Sequence, residues 1–152
     1  MDNNLKCANC DIPEFSLNGL SCWGKIVYIY DGDTIHIVIS YNNFLTKFIC
    51  RLHGIDTKEI KSTNDNDKLL AIKARNYLIN KISMNTPDNI SKKDIKDICS
   101  KSDKLVWINC FEFDKYGRLL IEIKDNNNSI KSYNQELIDL GLALPYFGGH
   151  KN

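Results

Sequence analysis

Residues 24–59 read GKIVYIYDGDTIHIVISYNNFLTKFICRLHGIDTKE, and the alternation inside this stretch decides the fold class. The run 24–30 is rich in β-formers and ends at Asp31-Gly32-Asp33, a tight-turn signal. From Thr34 onward Ile35, Ile37 and Ile39 fall on one face and His36 on the other, the period of a half-buried strand. Tyr41-Asn42-Asn43 marks a second turn and residues 44–52 a third strand. Strands joined by such short turns predict a meander. The stretch closes on RLHGIDTKE at 51–59, where Arg, Asp, Thr and Glu crowd together just after an apolar strand. A rigid strand fixes the loop that follows it, which makes this a place for chemistry. Alone, these charges read as ordinary solvated surface; the rest of the chain decides.

Outward from the meander, residues 61–67 form a polar loop. Residues 68–82 then set Leu70, Ala74, Tyr77, Leu78 and Ile82 on one face, which predicts an amphipathic helix packed on the core. Residues 83–103 are rich in Lys and Asp around Pro87, with a short helix near 91–99. They read as an exposed insertion whose Lys92, Lys93 and Lys96 are solvated. LVWINCFEF at 105–113 is a strong strand, 114–117 a turn, and 118–124 a fifth strand. Residues 132–140 predict a short helix stopped by Gly141. The order β-β-β-α-β-β-α, with five antiparallel strands, is that of an OB-fold barrel, an α+β and mainly β architecture. Residues 1–22 form an N-terminal arm and 23–150 one domain.

A chain of 152 residues suits a single core, and its 43% hydrophobic content is that of a globular protein. The net charge of +1 excludes a strong field over the whole molecule, so any nucleic-acid contact needs a local patch. The first residues lack the basic and apolar regions of a signal peptide, and no run approaches a membrane span. An intracellular protein, acting as a monomer away from membranes, is expected. Its six cysteines then read as reduced thiols. Cys7 and Cys10 form a lone CxxC; Cys22 or a histidine would have to complete a zinc site, and a loose thiol-bearing arm is the favoured reading. His36, His53 and His150 read as surface or strand residues. Arginine occurs only at 51, 75 and 118 among the 20 basic residues, which points to a use for its planar fork.

The polar groups at strand ends give that use. Asp33 opens the second strand, Arg51, Asp56, Thr57 and Glu59 attend the end of the third, and Arg118 opens the fifth behind Lys115 and Tyr116. In a five-stranded barrel these points can lie on one side. Asp33, Asp56 and the Thr57 carbonyl offer hard oxygen ligands, which suit Ca²⁺ and not zinc. Glu59 stands three residues from Asp56 and is a candidate base. Arg51 and Arg118 each offer a fork to a phosphate, and Lys115 and Tyr116 a phosphate contact and a stacking ring. Two arginines, a hard cation and a carboxylate base make a site for phosphodiester hydrolysis.

YDGDT at 30–34, RLHGIDTKE at 51–59, DKYGR at 114–118 and NQELIDLGLA at 134–143 together resemble the staphylococcal-nuclease-like (thermonuclease) family, in the family's order and over residues 25–147. The resemblance implies Ca²⁺ held by Asp33, Asp56 and the Thr57 carbonyl, phosphate held by Arg51 and Arg118, and water activated by Glu59. It implies substrate contacts from Lys115, Tyr116 and Tyr146. The implied activity is calcium-dependent cleavage of DNA or RNA, leaving 3′-phosphates. Lys58 replaces the proline usual between Thr and Glu, the insertion at 83–103 is long, and the ending PYFGGHK is similar to that of members from large DNA viruses and protists. The alternative is a catalytically weak OB module that binds nucleic acid or peptide. It has no need of both arginines with Asp33, Asp56 and Glu59.

Overall fold

The computed structural model describes residues 2–84, 86–87 and 89–148; His150 and the other residues lie outside the described set. Three long strands follow one another: β1 (Ser21–Ile29), β2 (Thr34–Tyr41) and β3 (Phe44–Leu52). A short strand, β4 (Ile55–Thr57), precedes the helices α2 (Asp65–Ile82) and α3 (Lys92–Lys101). Strands β5 (Val106–Phe113) and β6 (Leu119–Lys124), helix α4 (Tyr133–Asp139) and strand β7 (Ala143–Pro145) complete the chain, and a single helical turn, α1 (Asn3–Lys6), begins it.

The long strands close a barrel in the order β1-β2-β3-β6-β5. This is the mainly β, OB-like barrel expected, with one correction. Four pairings are antiparallel, but β3 and β6 run parallel, with Arg51 opposite Leu120. A crossover through the two helices lets a parallel pair form, since a short turn cannot make one. Ile35, Ile37 and Ile39 point inward as their alternation predicts, and meet Ile26, Ile29, Leu52, Ile108 and Ile121 in the core. Asn42 and Asn43 both adopt left-handed backbone (φ 49° and 66°), the conformation of a tight hairpin turn.

The helices differ from expectation at their ends. Helix α2 begins at Asp65, three residues before the apolar pattern starts, because Asn64 caps it by accepting the Asp67 N–H at 3.1 Å. Its inward face is Ala71, Ala74, Leu78, Ile79 and Ile82, whereas Leu70 and Tyr77 are half-buried. The segment 83–103 is not exposed throughout. A capping box of Ser91 and Asp94 starts α3, which buries Ile95 and Cys99 against the core while Lys92, Lys93 and Lys96 face solvent.

The N-terminal arm is also tied down from about Leu17. That side chain is buried, and the chain pairs with Cys110 through Gly19 N–H (2.9 Å) and the Leu20 carbonyl (2.8 Å). Cys7 and Cys10 remain exposed and free. No described helix is long and apolar enough to cross a membrane.

Candidate active site

Register explains why the strand-end charges meet. Thr34 on β2 lies opposite Arg51 on β3, and Arg51 lies opposite Leu120 on β6. The pairing is staggered, the last three residues of β3 lying against the first three of β6, so the end of one strand stands beside the start of the other. The turn carrying Lys115, Tyr116 and Arg118 is thereby brought to the end of the barrel where β3 delivers Arg51. The pair β4–β7, with Asp56 opposite Leu144 and Thr57 opposite Ala143, lies near this end and brings in Tyr146, whose N–H donates to the Gly54 carbonyl at 2.9 Å. Asn134 of α4 braces the arrangement. Its amide donates to the carbonyls of His53 (2.9 Å) and Ile121 (3.0 Å) and accepts the Ile123 N–H (3.2 Å).

These elements enclose a cavity of about 820 Å³. Asp33, Arg51, Thr57, Glu59, Lys115, Tyr116, Arg118 and Tyr146 line it, and Asp56 adjoins it through Arg51. All the candidate site residues are therefore gathered in one region.

The turn at 31–33 is built for close approach. Asp31 Oδ1 accepts the N–H groups of Asp33 (3.1 Å) and Thr34 (2.9 Å), folding the chain back on itself. A Cβ on Gly32 would stand 2.5 Å from Ala74 Cβ and 2.9 Å from Thr57 Cγ2. Only glycine lets the turn lie against α2 and β4. Asp33 then reaches across, its Oδ2 accepting the Thr57 N–H at 3.1 Å and its Oδ1 the Thr34 hydroxyl at 3.1 Å.

Arg51 is buried and heavily engaged. Its Nη1 donates to the carbonyls of Ile55 (2.8 Å) and Leu52 (3.3 Å). Its Nη2 donates to Asp56 Oδ1 at 3.2 Å and lies 3.8 Å from Asp33 Oδ2. The Tyr146 ring sits 5.4 Å from its Cζ. The expected open fork is therefore partly closed, since one terminal nitrogen is committed to the backbone. Arg118 is held differently. Asp114 accepts its Nε at 2.8 Å and its backbone N–H at 2.9 Å, and the guanidinium lies 5.5 Å from the exposed Tyr116 ring. Its terminal nitrogens make no hydrogen bond to a described residue.

Lining residues not singled out from the sequence include Asp31, Asp114, His53 and Phe147. The Asp31 carboxylate was read as a turn former only, although its i,i+2 pairing with Asp33 was visible. Asp114 stands four residues before Arg118, a spacing that could have disclosed the ion pair. His53 stacks on Phe111 with centroids 4.2 Å apart, and no local signal announces that contact. Lys58, which the sequence left unexplained, lies 3.6 Å from Asp67 and links the loop to the first turn of α2.

The site's chemistry is that of hard oxygen donors. Asp31 and Asp33 are both buried, and burial, reinforced by the Asp33 charge, pushes the Asp31 carboxyl up to about 7. The Thr57 hydroxyl is buried with no hydrogen-bond partner. The carboxylates and the orphaned hydroxyl are oxygen donors of the kind that hard cations take. Among the described residues no three His, Cys, Asp or Glu side chains already converge on one point, since Asp33 and Asp56 turn toward Arg51. The donor set fits Ca²⁺ in kind, through oxygen atoms alone.

No family model matches the chain. It is 31% identical over 126 residues to uncharacterized protein MJ1439 of Methanocaldococcus jannaschii, a match covering 82% of this chain. The same match spans 59% of the archaeal protein, so the chain is similar to part of a longer relative whose printed name assigns no activity.

Proposed function

We propose that the chain is a calcium-dependent nuclease of the staphylococcal-nuclease-like family, hydrolysing phosphodiester bonds of DNA or RNA to leave 3′-phosphates. The observation that carries this reading is the meeting of Arg51, Arg118, Glu59, Asp33 and Asp56 around one cavity at one end of a five-stranded barrel. Each residue of the set comes from a motif that carried the family resemblance.

In this reading Asp33, Asp56 and the Thr57 carbonyl would hold the cation, with Asp31 beside Asp33 at the cavity wall. Bound Ca²⁺ supplies charge stabilisation to the phosphoryl oxygens. Glu59, exposed at the cavity wall, takes a proton from the attacking water. The oxygen of that water bonds to phosphorus, the bond from phosphorus to the 5′ oxygen breaks, and the leaving oxygen gains a proton. The products are a 3′-phosphate and a 5′-hydroxyl. Arg118 offers its terminal nitrogens to the phosphate as charge builds there. Arg51 contributes positive charge from a fixed position. Lys115 contacts phosphate, and Tyr116, 72% exposed, offers a face for a base.

The test is incubation of single-stranded DNA and RNA oligonucleotides with millimolar-scale Ca²⁺. Products with 3′-phosphate ends, abolished by chelator, are expected. Binding without cleavage under any divalent ion would leave the non-catalytic OB module in place of the enzyme.

A further inference from the structure

The outer face of β1–β3 continues away from the cavity, and its composition is one-sided. No Asp or Glu occurs from Phe15 to Tyr30 or from Thr34 to Ile55, although the chain holds 19 acidic residues. The cavity-lining row is Thr34 beside Arg51. The next outward row, two residues along each strand, is Tyr28, His36 and Ile49, in register across the sheet. The row after that carries Lys25, Val38 and Lys47. Each step is about 7 Å, so Lys47 stands roughly 14 Å along the strand from Arg51.

Helix α3 adds to the same face. Lys96 Nζ lies 5.8 Å from the Tyr28 ring, which meets His36 edge-on with centroids 5.2 Å apart. Burial, then the charges of Lys47 and Lys96, hold the His36 imidazole below its ordinary pKa, and no carboxylate opposes them. Arg75 of α2 lies near enough to Tyr28 for their charges to interact. Lys47, Lys96 and Arg75 form no ion pair with a described carboxylate. Five other lysines do pair with acids, among them Lys81 with Glu136 and Lys131 with Asp139. Strands without acidic residues, edged by Lys47, Lys96 and Arg75 around two aromatic rings and continuous with the cavity, are complementary to a polyanion with stackable bases.

We propose that this face, centred on Tyr28 and His36 and edged by Lys47 and Lys96, is an exosite that holds single-stranded nucleic acid beyond the phosphate being cut. The exosite rests on the nuclease reading for its role, but its binding is separable from cleavage. It gives the protein a preference for long strands that the cavity alone does not supply.

The test uses the double variant Lys47→Glu/Lys96→Glu, whose two side chains are exposed and outside the cavity. Melting temperature checks that it folds, and Lys47→Gln/Lys96→Gln serves as a milder second variant. Fluorescence anisotropy with a labelled 20-mer in chelator measures binding across salt concentration, and cleavage of the 20-mer and of a dinucleotide is measured with Ca²⁺. The account predicts at least about tenfold weaker 20-mer binding in the Glu variant. For the Gln variant it predicts a salt slope reduced by roughly 1.4, as for two lost single-strand contacts, and unchanged dinucleotide cleavage. Equal 20-mer affinity and salt slope in folded variants and wild type overturns the exosite, while wild-type cleavage leaves the nuclease reading standing. Weakened binding in a protein that never cleaves supports the exosite and removes the nuclease reading.

Discussion

Arg51 and Arg118 face the same cavity from opposite kinds of support. Arg51 comes from the end of a strand, is buried, and shares its guanidinium among two backbone carbonyls and two carboxylates. Arg118 comes after a turn, is held through Nε and its backbone N–H by Asp114 alone, and keeps its terminal nitrogens clear of described hydrogen-bond partners. One residue type is thus held in two ways within one site. Arg51 neutralises a buried cluster and holds the third strand to β4, so on the proposed reading function and stability are joined there. Arg118 lines the cavity with its terminal nitrogens clear, so on the proposed reading the two separate there.

The largest expected effect is at the buried member. Arg51→Ala strands Asp33 and Asp56 and leaves the Leu52 and Ile55 carbonyls without their partner, so it should cost about 3–5 kcal/mol of stability together with activity. Arg51→Lys keeps a charge but cannot reach the carbonyls and carboxylates together, and should be damaging too. Denaturant unfolding measures both; a folded Arg51→Ala of wild-type stability would end the distinction between the two arginines. Next is Arg118→Ala, which should slow cleavage about 10²–10³-fold while changing stability by less than ~1 kcal/mol, as for a partly exposed ion pair. A large loss of stability without loss of rate would reverse the assignment.

A smaller effect sharpens the picture of the buried cluster. The Asp31 pKa is raised in the fold, so the stability it allows is complete below its ordinary value of 3.8 and is lost as pH rises through about 7. Asp31→Asn keeps an oxygen to accept the two turn N–H groups and removes that loss. In chelator, its melting temperature should exceed wild type by a margin that grows from pH 4 to pH 7 and then levels. By pH 7 the gain should be at least ~1.4 kcal/mol, the worth of one pKa unit. A margin that does not change with pH would show that burial and the Asp33 charge do not raise the Asp31 pKa.

How far the sequence disclosed these two regions follows from the range of the interactions. The meander was legible because period-2 alternation and the Asn42-Asn43 turn are local signals. The candidate residues were legible too, since each strand end carries its own polar cluster. The closed fork of Arg51 was not, because it depends on carbonyls turned inward by the short β4 strand. Strands β4 and β7 each span three residues and are defined by each other across a long sequence separation, with no periodicity to find. The parallel β3–β6 register was invisible for the same reason. Helix α3 hid two buried residues, Ile95 and Cys99, inside a stretch whose charge dominates its composition. Asp31 was masked by its own turn chemistry, which accounts for an Asp without any further role.

The most direct measurement is single-turnover cleavage of a single-stranded oligonucleotide in Ca²⁺ by wild type and Glu59→Gln, with melting curves of both. The account predicts 3′-phosphate products from wild type, a rate lower by about 10²-fold or more in Glu59→Gln, and superimposable melting curves. Cleavage by Glu59→Gln at the wild-type rate would contradict the role given to Glu59, and no cleavage by a folded wild type would contradict the nuclease itself.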